Sequence, residues 1–350
     1  MNRHQPQPLP GQPRDLMVVR FGSLGDLCLL GWALARLADR PGGDGRRVTL
    51  VTKAAFAPLL ARIRGIHQVI PLMDNGFGAV ARLAAQLRPT SWAVIIDAHN
   101  ILRSHLLLGM MGRRPDRRLA KDTAARLAFL GFGHRGSELD RTMHHRFEDL
   151  TAGLAPVSES TGSTLPPLDS LVRSRDDSSA PDVLGLAPGA QWDTKRWPEH
   201  HFATLMDMHL REHPGGVRIF LGPREESWFP GGALEKASRG NDRVEIIQGR
   251  SLIEVAALLS ECRHLVTNDS GLLHLAEAVG TPVVAMFGPT VREFGYYPLL
   301  PGSRVLEKSL DCRPCSRNGK RPCHRGDLAC LQDLQPDLVH ATLNDLERGS

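Results

Sequence analysis

A glycine-rich turn after the first apolar run carries one carboxylate that could do proton chemistry. The run ends in Phe21-Gly22-Ser23-Leu24-Gly25-Asp26, and glycines in a strand-to-helix turn let the backbone approach a ligand closely. Asp26 begins the following helix and has two open roles. As an N-cap it would stabilise that helix by about 1 kcal/mol, and as a general base it would accept a proton from a substrate. A strongly hydrogen-bonded cap has a low pKa and makes a poorer base.

A second polar turn has the residue types of an anion-binding site. The segment Thr267-Asn268-Asp269-Ser270-Gly271-Leu272-Leu273-His274 lies between an apolar strand and a helix. Backbone N–H groups at the start of a helix attract anions. Ser270 and His274 are four residues apart and therefore share one helical face. We expect Ser270, Gly271 and His274 to converge on a phosphate. The alternative is ordinary capping by Asp269 or Ser270, with His274 packed in the core.

Two further turns place charged side chains near glycine. Pro188-Gly189-Ala190 ends one strand and leads into a polar loop that contains Lys195 and Arg196. Lysine offers a compact charge to a diphosphate and arginine a planar fork. We favour phosphate binding for Lys195 and a solvated position for Arg196. The turn after the next strand holds Glu225 and Glu226, either of which could bind ribose hydroxyls or simply favour the helix dipole.

These turns need elements that bring strand ends to one edge of a sheet. Short β-branched runs alternate with amphipathic stretches, which is typical of parallel sheets with helices on both faces. The pattern predicts two Rossmann-like α/β domains, with substrates in the cleft between them at the carboxyl ends of the strands. The predicted strands are Leu16–Arg20, Val48–Thr52, Gln68–Leu72, Ala93–Asp97, Val183–Ala187, Val217–Leu221, Val244–Ile247, His264–Thr267 and Val283–Phe287. The predicted helices include Leu27–Asp39, Ala54–Ile63, Ala79–Leu87, Leu102–Met111, Glu199–Arg211, Glu225–Ser238, Gly271–Val279 and Pro336–Arg348.

A segment rich in serine, proline, threonine and aspartate divides the chain. We predict a disordered leader at 1–14, an N-terminal domain at 15–155, a linker at 156–181, a C-terminal domain at 182–335 and a closing helix at 336–350. The leader has no apolar centre and does not resemble a secretory signal. The longest apolar stretch near the start, 27–35, is far shorter than the roughly 20 residues that span a bilayer. We therefore expect a cytoplasmic protein.

Positive charge is concentrated in the first half of the chain. The formal net charge is +5 at pH 7, of which residues 1–170 contribute +8 and the remainder −3. A basic surface suits an anionic partner such as a phosphorylated substrate, acidic lipid headgroups or nucleic acid. For any single arginine a solvated surface position is the simpler explanation, but for the whole half we favour an anionic partner.

The six cysteines are unevenly distributed. Cys28 and Cys262 lie in apolar surroundings and are predicted core residues. The other four lie within nineteen residues, in a segment at 312–330, and a cytosolic chain would not use them as a disulfide framework. Four cysteines suit a tetrahedral structural zinc, although their spacing departs from paired C-x-x-C motifs. His324 could replace one ligand. The candidate zinc ligands are Cys312, Cys315, Cys323 and Cys330.

Five motifs, in order and on the predicted turns, resemble glycosyltransferase family 9, the ADP-heptose:lipopolysaccharide heptosyltransferases. Each motif is weak alone, but together they cover nearly the whole chain, from about residue 16 to 346, and are specific. The family usually has threonine at the position of Ser270, which keeps the hydroxyl. The motifs are Gly22-x-x-Gly25-Asp26, Pro188-Gly189-Ala190, Lys195-Arg196-Trp197-Pro198, Asn268-Asp269-Ser270-Gly271-x-x-His274 and Phe287-Gly288-Pro289-Thr290.

The resemblance implies a GT-B fold whose two Rossmann-like domains face each other across a cleft that holds the active site. It implies inverting transfer of heptose from ADP-L-glycero-β-D-manno-heptose to the lipopolysaccharide inner core, with no cofactor required for catalysis. Asp26 would be the general base that deprotonates the acceptor hydroxyl, and Lys195 would hold the donor diphosphate. The resemblance makes the N-terminal domain the acceptor domain and the C-terminal domain the nucleotide-sugar domain. The donor-binding candidates are Gly189, Lys195, Glu225, Glu226, Ser270, Gly271 and His274.

On the acceptor side the candidates are Gly25 and Arg103. Arg103 lies in Asp97-Ala98-His99-Asn100-x-x-Arg103-Ser104, which resembles the acceptor segment of the family. It would meet an acidic acceptor sugar, or else it is a surface helix cation. A basic run at 113–121 would approach acceptor phosphates or the membrane, where each cation is worth about 1 kcal/mol. The implied partners are an ADP-sugar donor, an anionic lipid-linked saccharide acceptor and the cytoplasmic face of the inner membrane; no nucleic acid is expected.

Two alternatives remain beside the heptosyltransferase. One keeps the fold but uses another nucleotide sugar and a glycan or protein acceptor. The other is a basic, zinc-stabilised nucleic-acid-binding protein, which the pI of about 9.1 and the cysteines would motivate. That second alternative leaves the helix-start motifs unexplained, and the chain has only five Trp and two Tyr. A dehydrogenase is disfavoured because the G-x-G-x-x-G fingerprint is missing.

Overall fold

The computed structural model describes residues 15–38, 47–154, 165–172 and 183–348. The chain forms two compact units, one made of Met1–Lys121 and His144–Ser170, the other of Asp122–Met143 and Leu171–Ser350. Residues 122–143 therefore group with the second unit, whereas the sequence division included them in 15–155. The predicted leader at 1–14 and both predicted linker boundaries lie outside the described residues.

The first unit is built on a five-stranded parallel sheet in the order β3-β2-β1-β4-β5. Its central strands are apolar on both faces, as expected for strands covered by helices on both sides. The chain order reverses between β1 and β4, which makes their carboxyl ends the switch point of the sheet. The strands are β1 (Asp15–Val19), β2 (Arg47–Lys53), β3 (Ile66–Leu72), β4 (Trp92–Asp97) and β5 (Arg117–Arg118). The helices are α1 (Leu24–Ala38), α2 (Ala57–Leu60), α3 (Phe77–Leu87) and α4 (Leu102–Met110), with α5 (Thr123–Phe132) in the second unit and α6 (Met143–Thr151) returning to the first.

The second unit has a six-stranded parallel sheet in the order β11-β10-β9-β6-β7-β8. Read from β8, this is the 3-2-1-4-5-6 order of nucleotide-binding folds, and its switch point lies between β6 and β9. The strands are β6 (Val183–Ala187), β7 (Val217–Phe220), β8 (Val244–Ile247), β9 (Cys262–Asn268), β10 (Val283–Phe287) and β11 (Arg304–Glu307). The helices are α7 (Glu199–Glu212), α8 (Ala233–Ser238), α9 (Leu252–Ser260), α10 (Gly271–Ala278), α11 (Ala329–Gln332) and α12 (Pro336–Arg348).

Each sheet carries its own apolar core. In the first unit, Val19 and Phe21 pack with Leu83 and Leu107 from α3 and α4. In the second, strand residues pack with α7, α11 and α12, and Trp197 is fully buried among them. Because these cores fix the strand ends, they also fix the polar turns that follow.

The structure corrects three sequence predictions. The helix expected at Glu225–Ser238 is a short 3-10 turn, Glu225–Ser227, followed by the separate helix α8. Pro230, Gly231 and Gly232 lie between them, and Gly231 has φ +80, which no regular helix contains. In place of the helix expected at Ala54–Ile63, the structure has only the four-residue helix α2. Its first turn contains Pro58, a residue type that is common at helix starts. The third correction concerns the start of α1 and is described below. The strands β5 and β11 were not predicted: β5 has only two residues, both arginine, and β11 begins and ends with a charged residue.

Part of the predicted linker packs against the first unit. Leu168 is fully buried, and Arg64 Nη1 lies 2.7 Å from Asp169 Oδ2. A 3-10 turn, Asp169–Leu171, ends this described piece. Across the described ranges, no helix combines the length and the apolar character needed to cross a bilayer.

Candidate functional site

The turn after β1 holds Asp26, but not as the first residue of α1. The helix begins at Leu24, so Asp26 is its third residue, and the residue in front of the helix is Ser23. Asp26 Oδ2 accepts hydrogen bonds from Ser23 Oγ at 2.8 Å and from Ser23 N at 3.3 Å. The predicted N-cap position is therefore wrong by three residues, because the acid reaches back to the cap residue as in a capping box.

A buried arginine controls the charge of Asp26. Arg20 Nη2 lies 2.8 Å from Asp26 Oδ2, and the two side chains are only 5% and 13% exposed. Arg20 also donates to Ala98 O and lies over the ring of Phe147. Burial opposes ionisation of Asp26, but the Arg20 guanidinium and the Ser23 hydrogen bonds outweigh burial and lower its pKa below the ordinary value. Asp26 is therefore an ionised carboxylate at neutral pH.

The turn after β4 meets the turn after β1 at the switch point of the first sheet. His99 Nδ1 accepts a hydrogen bond from Phe21 N at 3.2 Å. Burial, together with the nearby Arg20 charge, lowers the pKa of His99 to about 4, so its ring is neutral at pH 7. Asp97 is fully buried and accepts hydrogen bonds from Asn100 N at 2.8 Å and Ser104 Oγ at 3.0 Å. Asp97 thus shapes the turn that leads into α4.

Arg103 lies in the first turn of α4 and is half-buried. No hydrogen bond or ion pair joins it to any other residue of the described ranges. A cation at a helix N-terminus opposes the helix dipole, so stabilisation of α4 does not explain this arginine. Two members of the basic run do have structural partners. Arg117 donates to Leu150 O at 2.9 Å, and Arg118 lies 3.5 Å from Asp97 Oδ2.

In the second unit one buried amide joins the two turns of the switch point. Asn268, at the end of β9, donates from Nδ2 to Pro188 O at 2.8 Å and Gly189 O at 3.3 Å. Its Oδ1 accepts from Trp197 N at 2.9 Å. Asn268 therefore holds the start of the loop after β6 and also its end, and Lys195 lies between those two points.

Lys195 forms an ion pair at this edge of the sheet. Its Nζ lies 2.5 Å from Asp269 Oδ2, and the side chains are 12% and 10% exposed. Thr290, in the turn after β10, donates to the same carboxylate oxygen at 2.7 Å. The ammonium group is thus held in one place by an acid that follows the neighbouring strand.

The two glutamates after β7 have different surroundings. Glu225 is buried, and its Oε2 accepts a hydrogen bond from Gly222 N at 2.7 Å. Its carboxylate packs so closely on Gly189 that a Cβ there would collide with it. Burial raises the pKa of Glu225 despite this hydrogen bond. Glu226 is exposed. The glycine at 189 is therefore explained by the approach of Glu225.

Ser270 and Gly271 form the uncapped start of α10. Ser270 has an extended backbone, and its side chain makes no cap hydrogen bond; its Oγ lies 3.5 Å from Thr267 Oγ1. Asp269 is engaged by Lys195 and Thr290 instead. The side-chain capping that the sequence left open is thus not used. His274 is buried one turn later, with its ring 6.2 Å from that of Tyr296.

The cysteine-rich segment packs against the turn after β10 and against the loop that contains Lys195. Arg313 donates to Gly288 O at 2.5 Å and Thr290 O at 2.9 Å, and so holds the turn after β10. Gly319, with φ +88, packs on the side chain of Lys195, and its carbonyl accepts a hydrogen bond from Thr194 Oγ1. This segment therefore supports the Lys195 loop directly.

The four clustered cysteines are free thiols, three half-buried and one, Cys330, buried. Burial and the neighbouring Cys315 raise the pKa of Cys330 to about 11. Among the described residues, one group has three potential metal ligands close together: Glu212, His213 and His340. This group includes none of the thiols. A zinc at the cysteines stays a prediction. Cys28 and Cys262 are buried, as predicted.

Sequence reasoning missed four residues that organise these turns: Arg20, Asn268, Asp269 and Arg313. Arg20 had one available signal, since a charged residue at the end of an apolar strand needs a partner when it is buried. Asn268 was noted only as part of a motif, and Asp269 as part of that motif and as a candidate cap of the following helix. Their partners lie in loops far away in the sequence, so spacing alone does not reveal them.

The fold and the polar residues at its two switch points define the class of protein. Two parallel-sheet α/β units, one with nucleotide-fold strand order and a buried lysine–aspartate pair at its switch point, have the architecture of GT-B glycosyltransferases. The fold class predicted from the sequence is confirmed as two such units.

Comparison with known proteins then gives the family. The model of glycosyltransferase family 9 (heptosyltransferase) matches residues 80–324. The chain is 27% identical over 319 residues to lipopolysaccharide heptosyltransferase 1 of Pseudomonas aeruginosa, covering 86% of this chain and 85% of that one. It is 32% identical over 178 residues to lipopolysaccharide heptosyltransferase 2 of Salmonella typhimurium, covering 48% of each.

A solved structure shares the fold over nearly the whole chain. The Escherichia coli heptosyltransferase WaaC with ADP-2-deoxy-2-fluoro heptose superposes with a TM-score of 0.67 at 19% identity, covering 95% of this chain and 99% of that one. This protein belongs to glycosyltransferase family 9. The resemblance found in the motifs is confirmed, and the protein is an enzyme that transfers a glycosyl group.

Proposed function

We propose that this enzyme transfers heptose from ADP-heptose to a hydroxyl of the lipopolysaccharide inner core, at the cytoplasmic face of the inner membrane. The observation that carries the proposal is the match to lipopolysaccharide heptosyltransferase 1 across 86% of the chain. The shared fold with a heptosyltransferase solved with an ADP-heptose analogue supports the same donor.

The proposed base is Asp26. It takes the proton of the acceptor hydroxyl as that oxygen bonds to the anomeric carbon, while the bond from this carbon to the ADP oxygen breaks. ADP leaves with the bonding electrons, and the attack from the opposite face inverts the anomeric centre. The Arg20 ion pair keeps Asp26 ionised. Because its pKa is low, Asp26 accepts the proton only once bond formation has made the hydroxyl more acidic.

The proposed donor site is the switch point of the second unit. Lys195 neutralises the leaving diphosphate, which stabilises charge that grows in the transition state. The uncapped start of α10 offers the Ser270 hydroxyl and backbone N–H groups to the same phosphates, and His274 is the further candidate one turn later. Glu225, rather than the exposed Glu226, is the candidate for the ribose because it packs against the Gly189 turn.

The proposed acceptor contacts are in the first unit. Gly25 is a buried residue of the first turn of α1, directly before Asp26. Arg103 lacks a partner within the described ranges and opposes the dipole of its helix, which favours an anionic sugar as its partner. In the basic run, Arg113 and Arg114 are exposed, which favours contact with acceptor phosphates or anionic lipid. Because Lys195 supplies the charge for the leaving group, catalysis in this proposal needs no cofactor, and a zinc at the cysteines would be structural.

Transfer to two acceptors, lipopolysaccharide without heptose and lipopolysaccharide with a single heptose, tests the proposal. The purified enzyme is given ADP-heptose, ADP-glucose or a UDP-hexose, and ADP or UDP release is measured together with the mass of the acceptor. We expect one heptose to be added and ADP-heptose to be the preferred donor. Turnover of a UDP-hexose at an equal rate, or donor hydrolysis without a gain in acceptor mass, would contradict the proposal. ADP should also raise the melting temperature more than UDP or GDP does.

A further inference from the structure

A cluster of imidazole and carboxylate groups joins the last turn of α7 to α12, away from the residues assigned to transfer. Glu212 ends α7, His213 follows it, and His340 projects from α12. One ligand atom from each of the three lies within 4.8 Å of the other two. His340 is buried, His213 is half-buried and Glu212 is exposed, so the cluster is open to solvent on one side only.

The geometry of the central pair is that of two ligands and not of a hydrogen bond. His340 Nε2 lies 3.5 Å from Glu212 Oε2. This nitrogen is buried and has no hydrogen-bond partner in the described part of the chain. Two ligands at about 2.0–2.2 Å from a tetrahedral zinc lie about 3.4 Å apart. A buried ring nitrogen without a hydrogen bond demands an explanation, and a metal ion supplies one.

Groups around the cluster would orient its half-buried histidine, His213. His213 Nδ1 lies 3.6 Å from Glu347 Oε2, and its Nε2 lies 3.3 Å from Asn344 Oδ1. The ring also stacks on His209, with centroids 4.5 Å apart and an angle of 14° between the planes. An imidazole has two ring nitrogens, so one of these nitrogens ligates the proposed metal and the contact at the other is its outer-shell partner. The ring of His213 is thus fixed by α12 and by the preceding turn of α7.

We propose that Glu212, His213 and His340 bind a divalent transition metal ion that joins α7 to α12. Two imidazoles and one carboxylate suit Zn²⁺, Co²⁺ or Ni²⁺ better than Mg²⁺ or Ca²⁺, which prefer oxygen ligands. Water from the open side completes the coordination. The site is independent of the cysteine-rich segment and of the proposed reaction.

The bound ion would stabilise the end of the chain. Val339 and Leu343, on α12, belong to the core of the second unit, and Leu334 O, just before α12, accepts the hydrogen bond of Trp197 Nε1. An ion that ties α12 to α7 therefore secures the element against which the Trp197 end of the Lys195 loop is packed. A metal that binds only the folded chain raises its melting temperature.

Cobalt binding tests the site directly, on the full chain without a polyhistidine tag. Titration with Co²⁺ is followed by visible absorption, with Zn²⁺ as competitor. We expect saturable binding with d–d bands of a site without sulfur ligands; sulfur-to-cobalt charge transfer would come from cobalt at the cysteines, which the cysteine variant below removes. Glu212→Gln and His213→Gln should each weaken binding at least about 10-fold, since even outer-shell changes cost about 10–100-fold. Glu212 is exposed, so the first variant does not depend on a buried substitution. Glu347→Gln should weaken binding less.

Two matched controls identify other sources of binding. His200→Gln removes an exposed imidazole from the same helix and should leave Co²⁺ affinity unchanged. Cys315→Ser with Cys323→Ser should leave the non-thiolate spectrum unchanged. No saturable binding, retention of full affinity in both Glu212→Gln and His213→Gln, or loss of all binding in the cysteine variant would each overturn the proposal.

Discussion

The two units use the same kind of switch point to hold opposite arrangements of charge. In the first unit an acid, Asp26, is the proposed reactive group, and Arg20 fixes its ionisation. In the second unit a cation, Lys195, is the proposed ligand, and Asp269 fixes its position. Both pairs are close to nine-tenths buried. A buried pair costs desolvation and is weak evidence for stability, so its recurrence at both switch points favours a role in binding and transfer.

The two pairs also differ in how the chain builds them. Arg20 and Asp26 lie in a single strand-to-helix turn, so local geometry is enough to bring them together. Lys195 and Asp269 lie in different loops, and the Lys195 loop needs Asn268 at its two ends and Gly319 against its side chain. The Arg20–Asp26 pair therefore depends on local geometry, whereas the Lys195–Asp269 pair depends on contacts between residues far apart in the sequence.

Among these variants, Asp26→Asn should have the largest effect on transfer. The amide keeps the shape of the side chain but cannot take a proton, so we expect transfer to fall about 10²–10⁴-fold while ADP binding stays near normal. Turnover and calorimetric ADP affinity are the two measurements. Ser23→Ala is the matched control, because it removes a hydrogen bond to the same oxygen and leaves the carboxylate. Near-normal turnover of Asp26→Asn would mean that the acid only caps α1.

Lys195→Ala removes the cation of the second unit. Loss of a charged contact to the diphosphate costs about 1.5–3 kcal/mol, which is about 10–100-fold in donor kcat/KM. The donor KM should rise and kcat should fall, with the acceptor KM nearly unchanged. Lys236→Ala, an exposed lysine on α8 of the same unit, should change none of these constants. Equal donor kinetics for the two variants would remove Lys195 from the site.

Substitution of Arg20 tests whether this arginine sets the pKa of Asp26. The pKa of Asp26 lies below its ordinary value because Arg20 and Ser23 outweigh burial. As pH falls through this lowered pKa, Asp26 becomes protonated, and the stability that its ionised form contributes is lost. In Arg20→Met burial remains and the opposing charge is gone, so the pKa must rise. The acid limb of kcat/KM should move to higher pH, while Arg20→Lys should keep most of the native profile. Identical profiles in all three proteins would show that Arg20 does not set the ionisation of Asp26.

The sequence could predict what depends on local pattern. The alternation of strands and helices predicted nine of the eleven strands in the described ranges and the turns that carry Asp26, Lys195 and Ser270. It predicted a helix that is too long. The chain between Glu225 and Ser238 has helical periodicity, but Pro230-Gly231-Gly232 interrupts it.

Partners in distant loops were beyond the sequence because only tertiary packing brings them together. Nothing near Asn268 indicates that its amide would join Pro188 to Trp197, because that contact exists only once β9 lies beside β6. The cysteine-rich segment is the clearest case. Its cysteines suggested a metal, whereas the contacts that link it to the donor site are made by Arg313 and Gly319.

The smallest effect that we predict belongs to Gly319→Ala, which tests whether this segment supports Lys195. A Cβ on Gly319 would lie 2.8 Å from Lys195 Cγ and 3.0 Å from its Cδ, so the lysine must shift. We expect the donor KM to rise several-fold, less than the about 10²-fold that a 1 Å misplacement can cost. The acceptor KM should stay the same.

Gly326→Ala separates this contact from backbone strain. Gly326 lies in the same segment with φ +79, close to the φ +88 of Gly319, but nothing lies within 4 Å of its Cβ position. Both variants should therefore lose about 1–2 kcal/mol of unfolding free energy from the left-handed conformation, measured by denaturant unfolding. Only Gly319→Ala should raise the donor KM. An equal rise in both would assign the effect to strain in the segment, and no rise in either would mean that Lys195 keeps its position without this support.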